Sequence, residues 1–145
     1  GYMYQELYES NEKALSETTE ILNNRIAESK IQVISMPSNS SDSDMSNINK
    51  RVIIFNPNFE TSFSVPFRIA HEMSHILYGS SSKTYTFSPL SKKTEEIEAN
   101  MHGIQILADI FFGDYYSTTQ RWEYRYRFIE LFDLQPITHL VEKCL

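Results

Sequence analysis

The chain has 145 residues and a formal net charge of −6. That length suits one domain and can bury a core without disulfides, so residues 1–145 are read as a single domain. An acidic balance argues against a nucleic-acid surface, which needs basic groups to neutralise phosphates. The nearest basic cluster, Arg121, Arg125 and Arg127, is diluted by Glu123 and Glu130. The one cysteine, Cys144, cannot close an internal disulfide and reads as an incidental thiol. No apolar run is long enough for a bilayer, and the first residues lack the basic and apolar regions of a signal peptide. The expectation is a cytoplasmic protein with no membrane contact.

From about Gln5 to Glu28 the chain has no Gly or Pro and is rich in Glu, Leu, Lys and Ala, which predicts a helix. Leu7, Leu15, Leu22 and Ile26 give it a partial apolar stripe. Ile31 to Ile34 alternates and is β-branched, so it predicts a strand, ended by Pro37. The polar run from Ser38 to Asn49 predicts a flexible loop, because it carries too little apolar surface to order itself. Asp42 and Asp44 resemble half a calcium loop, without its glycine and closing glutamate. Arg51 to Phe55 predicts a second strand, pairing antiparallel with the first into a small sheet. A helix is predicted from Val65 to Tyr78, with Ser64 as cap, Pro66 in the first turn and Gly79 at the end. A Ser/Thr-rich loop, Ser80 to Ser91, leads to a helix from about Thr94 to Phe112, stopped by Gly113. Ser117 and Gln120 form a capping box for a helix reaching about Phe132. Its Trp122, Tyr126, Phe128, Ile129 and Phe132 read as core. Pro136 opens a last short helix. The class is α+β, mostly helical with a small antiparallel sheet.

Residues 71–75 read His-Glu-Met-Ser-His, the H-E-x-x-H pattern, on a predicted helix. Two histidines four apart lie on one helix face, about 6 Å apart along the axis, so both imidazoles can reach one ion. The intervening Glu72 sits about 100° round from His71, near the ion but not on it, where it can take a proton from water. On this helix Ile69, Ala70, Met73, Ile76 and Leu77 cluster opposite His71, His75, Glu72 and Arg68. Arg68 reads as a structural salt bridge. Neutral imidazole suits zinc, and a catalytic zinc takes three protein ligands with one position left open. The next helix offers Glu95, Glu96 and Glu98 as the third ligand. Its apolar stripe, Ile97, Met101, Ile104, Ala108 and Phe111, marks the buried face. Glu96, Asn100, Gly103 and Leu107 flank that stripe, which makes Glu96 the best placed and Glu95 its rival. Asn100, one turn on, can hydrogen-bond a ligating group. Gly103 would let the two helices approach closely. His102 reads as a surface histidine, and His139 has no place fixed by the sequence.

RIAHEMSHILY at 68–78, followed by EEIEAN at 95–100, resembles the ImmA/IrrE family of small zincin-like peptidases. The resemblance spans the central half of the chain. It implies a minimal metallopeptidase in which His71, His75 and Glu96 hold Zn2+ and Glu72 is the catalytic base. Ser74 stands where the family often has Gly, and His102 and Gly103 where it has an aromatic and an alanine. For members carried by prophages and mobile elements, the resemblance implies an antirepressor that cleaves a helix-turn-helix transcriptional repressor. The alternative is a regulatory protein that grips a repressor without cutting it, with zinc structural or vestigial.

Overall fold

The computed structural model describes residues 2–79 and 89–145. Helix α1, Tyr2–Glu28, is unbroken over its length. It buries a narrow seam, Thr18, Leu22 and Ile26, whose spacing of four keeps one side on the core. Lys30 ends it in the left-handed region at φ 56°. Ile31 N–H donates to the Ile26 carbonyl and Lys30 N–H to that of Ala27, both at 3.0 Å, which is a Schellman closure. Arg51 donates from Nη2 to the Ser29 carbonyl at 2.7 Å.

Three strands follow: β1 (Gln32–Ser35), β2 (Met45–Asn47) and β3 (Val52–Phe55). Their order is β1-β3-β2. β1 pairs parallel with β3, Gln32 opposite Val52, and β2 pairs antiparallel with β3, Ser46 opposite Ile53. The expected antiparallel pairing of the first and last strands is therefore corrected: the sheet is mixed. The reason is β2. The chain reverses twice, once through the loop after β1 and once in the β2–β3 hairpin, so β3 returns in the direction of β1 and slots between the other two.

The expected flexible loop from Ser38 to Asn49 is also corrected, since it holds β2 and a tied approach to it. Asn56 donates from Nδ2 to the carbonyls of Asn39 (2.8 Å) and Asp42 (2.7 Å) and accepts at Oδ1 from Ser38 N–H (3.0 Å). The Asp42 carboxylate accepts from the Ser38 hydroxyl and the Asn39 N–H. One buried amide side chain thus supplies the order that the run's own composition does not.

Helix α2 spans Val65–Tyr78, with Ser64 Oγ accepting from Phe67 N–H and Gly79 N–H closing on the His75 carbonyl. Helix α3, Pro89–Phe112, packs on α2 in the most extensive contact between two elements. It begins earlier than expected; the rest of the expected Ser/Thr-rich loop, residues 80–88, lies outside the described residues. α3 comes against His71 and Phe67 of α2 at Gly103, and Ala99, Ile104, Leu107 and Ala108 are buried, while Ile97 is exposed. Of the expected stripe, Ile104 and Ala108 are buried and Met101 and Phe111 pack against the core, so Ile97 alone departs from it.

After a 3-10 turn at Gly113–Tyr115, the expected single helix is split into α4 (Thr118–Glu123) and α5 (Arg125–Leu131). The capping box of Ser117 and Gln120 is present. Tyr124 leaves helical geometry at φ −95°, ψ 12°. Phe128, Ile129 and Phe132 then enter the core, but Trp122 and Tyr126 stay exposed, against expectation. Arg125 stacks on both, 3.9 Å and 4.4 Å from their ring centres. A second 3-10 turn, Gln135–Ile137, leads into α6, Thr138–Cys144. Among the described residues, no helix is long and apolar enough to cross a membrane. The architecture is α+β and mostly helical.

Candidate metal centre

The helical repeat brings His71 and His75 together on the face of α2 that meets α3, with their Nε2 atoms 3.2 Å apart. Glu96 reaches across from α3. Its Oε2 lies 3.0 Å from His71 Nε2 and its Oε1 3.1 Å from His75 Nε2. Among the described residues, this is the group of three His, Cys, Asp or Glu side chains able to hold a metal ion.

The spacing can be tested against an ion. A tetrahedral zinc with bonds of about 2.0–2.1 Å has ligand atoms about 3.3–3.4 Å apart. The two imidazole nitrogens, 3.2 Å apart, come within a few tenths of an ångström of that, and each has one oxygen of the Glu96 carboxylate beside it, Oε2 at 3.0 Å from His71 and Oε1 at 3.1 Å from His75. The donor set, two imidazoles and one carboxylate, is one that zinc takes. The two histidine side chains are 14% and 13% exposed, whereas Glu96 is 48% exposed.

Asn100 fixes the ring of His71. Its Oδ1 lies 2.7 Å from His71 Nδ1, so Nδ1–H donates to the amide and the ring is held with Nε2 turned to Glu96. Gly103 sets the distance between the helices: a methyl there would lie 3.2 Å from the backbone nitrogen of His71 and from Phe67 Cε2. Glu96, Asn100 and Gly103 therefore act from one strip of α3.

Glu72 lies beside this triangle and is buried. Burial raises its pKa above the ordinary carboxylate value, opposed by the attraction of His71, a hydrogen bond from the Ser46 side chain and the attraction of His75. A carboxyl poised in this way is a better proton acceptor at neutral pH than an exposed one. Burial opposes protonation of His75, but hydrogen bonding and attraction to Glu96 outweigh it and raise that pKa. The hydrogen bonds from both histidines hold Glu96 far below the usual carboxylate range.

The other candidates stand apart. Glu95 adds only a charge effect on His75 and is outside the metal-ligand group, as are Glu98 and the exposed His139. His102 stacks on Tyr78, ring centres 4.2 Å apart. Leu77 is exposed rather than core. Arg68 makes a two-point ion pair with Asp44, both contacts 2.8 Å. Burial raises the Cys144 pKa, which suits an inert thiol. Two residues at the site were not anticipated, Ser46 against Glu72 and Asp44 against Arg68. Both lie in the polar run, where no periodicity announces them.

A small α+β protein with a His-His-Glu triangle and an adjacent buried glutamate belongs to the zincin-like class. The sequence profile of the IrrE N-terminal-like domain, peptidase family M78, matches residues 26–128, more than half of the chain. The chain belongs to this family of metallopeptidase type. Comparison with curated proteins and with solved structures returned no match.

Proposed function

We propose that the protein is a zinc-dependent endopeptidase in which His71, His75 and Glu96 hold the metal and Glu72 is the general base. The observation that carries this reading is the convergence of the two imidazoles, Nε2 atoms 3.2 Å apart, on the Glu96 carboxylate, one oxygen 3.0 Å from His71 and the other 3.1 Å from His75. A zinc ion held there would supply Lewis acidity toward a water and the scissile carbonyl. Glu72 would take the proton of the attacking water and return it to the leaving amine, a role its burial favours. Asn100 keeps His71 in the tautomer that can ligate.

The substrate is an extended protein segment that adds to an edge of the sheet. β3 is central, so the free edge on the α2 side is β2. From the family resemblance, the partner is a helix-turn-helix repressor and the protein acts as an antirepressor of a prophage or mobile element, in the cytoplasm. The test incubates the zinc-loaded protein with the repressor encoded beside it, with and without chelator. Cleavage that chelator stops, and that Glu72→Gln loses while keeping its zinc, is expected. Repressor inactivated but uncut would favour the sequestering alternative. A purified protein that takes up no zinc would end the reading, and Glu96→Ala with full zinc content would move the third ligand.

A further inference from the structure

β2 is only three residues long, yet it meets α2 at two matched points. One is the ion pair of Asp44, the residue just before the strand, with Arg68. The other is Ser46, half-buried on the strand face that Asp44 shares while Met45 between them is exposed; β2 packs on α2, and Ser46 hydrogen-bonds the Glu72 side chain. On α2, Arg68 and Glu72 are four residues apart, a rise of about 6.0 Å along one face. On the strand, Asp44 and Ser46 are two apart, a rise of about 6.6 Å along one face. The two spacings are commensurate, so strand and helix form a ladder of two rungs.

The Arg68 rung is built to hold register. The Arg68 and Asp44 side chains are 10% and 6% exposed. Arg68 donates from Nε and Nη2 to the two Asp44 oxygens and from Nη2 to the Asn56 carbonyl, each at 2.8 Å. Asn56 N–H donates to Asp44 Oδ1, also at 2.8 Å. The guanidinium lies 4.4 Å from the centre of the Phe55 ring, which fixes its plane. Both carboxylate oxygens are thus engaged, and the pair can be made only in one position of the strand. A slip of one residue would turn Ser46 away from the helix, because successive strand side chains face opposite sides. Setting register is the best-attested use of a buried charge pair.

We propose that the Asp44–Arg68 pair registers β2 on α2 so that Ser46 holds the Glu72 carboxylate in its working orientation. Ser46, Asp44 and Arg68 are positioning residues for the base. The proposal rests on the peptidase reading for its effect on rate, but not for the ladder itself.

Two measurements on the full zinc-loaded chain test it. The first is hydrogen exchange. Arg68→Lys keeps the charge but not the two-point geometry, and faster exchange is expected at the Asn56 amide and across β2, with zinc content unchanged. Unchanged protection there would overturn the ladder whatever the activity. The second is kinetic, on one cleaved peptide. Ser46→Ala and Arg68→Lys are each expected to lower kcat about tenfold, a fraction of what a general base contributes, with KM little changed. Ser46→Thr, which restores the hydroxyl, should recover most of the loss. Because both residues act through Glu72, the double variant should be no slower than the worse single one. Effects on kcat that multiply, or Ser46→Ala at full rate, would refute the positioning role. If the wild type cuts nothing while Arg68→Lys still loosens β2, the peptidase reading fails and the ladder stands.

Discussion

Replacing Gly103 by valine should weaken metal binding severely in a protein that still folds. A methyl at this position would lie 3.2 Å from His71 N, 3.2 Å from Phe67 Cε2 and 3.3 Å from His71 Cα. Comfortable carbon contacts run about 3.5–4.0 Å. Two of the three obstacles are helix backbone, which cannot rotate away, so alanine asks α2 and α3 to part by about 0.3–0.5 Å. Valine carries carbons about 1.5 Å farther out and asks for roughly twice that or more. Metal sites hold their ligand distances to within about 0.2 Å. Asn100 and Glu96 lie on the same strip as Gly103, so a parting of the helices draws them away from the histidines. For Gly103→Ala, a helix-propensity gain of about 0.8–1.0 kcal/mol offsets part of an overpacking cost of about 1–3 kcal/mol. The metal-free protein should therefore melt within several degrees of wild type, with zinc affinity down about tenfold. Gly103→Val should lose about a hundredfold or more. Thermal unfolding in chelator gives the first quantity, and zinc competition against a chromophoric chelator gives the second. A valine variant with wild-type zinc affinity would refute this account of the helix contact.

Asn100→Ala frees the His71 ring to turn and to change tautomer, and should cost about 10–100-fold in zinc affinity in the same competition assay. An unchanged affinity would remove Asn100 from the site. In the metal-free protein, the raised His75 pKa gives stability that is full below the ordinary histidine value and is lost as pH rises through the raised one. The lowered Glu96 pKa gives stability present above the ordinary carboxylate value and lost as pH falls through the folded one. From about pH 6 to about pH 8, this pair's contribution without metal should therefore decline, while the rise in Tm on adding zinc should grow as His75 loses its proton. A zinc-induced rise that does not depend on pH would contradict this. Asp133 closes α5 in the left-handed region at φ 55°, with Leu134 N–H donating to the Ile129 carbonyl at 2.9 Å. Asp133→Gly should stabilise the fold by about 0.5–1 kcal/mol, read in denaturant melts; a loss would show that the aspartate side chain matters there.

How far the site could be read in advance follows the range of the interactions. His71, Glu72 and His75 depend on one helical turn, and a spacing of four states their relation outright. Glu96 required a second helix to be phased, and the apolar stripe through Ile104 and Ala108 phases it well enough to put Glu96 beside the two histidines. Ile97 is exposed, and Asn100 and Gly103, read as flanking the stripe, are the residues that touch His71. The sheet was harder. Met45–Asn47 is too short to show alternation, and the burial of Asp44 is set by an arginine 24 residues away. Without β2, antiparallel pairing of the two longer strands was the simpler reading. Trp122 and Tyr126 failed as core residues for a local reason, the break at Tyr124, which no Gly or Pro marks.

The uneven exposure of the three ligands bears on how an ion would come and go. Two imidazoles sit on a packed helix with little room to move, while the carboxylate stands half in solvent on a flexible stem. Exchange would then start with Glu96 swinging outward, leaving the ion on two nitrogens and open to a competing chelator from that side. Shortening this arm, as in Glu96→Asp, should therefore change how fast the ion leaves more than it changes the anchorage that the histidines provide.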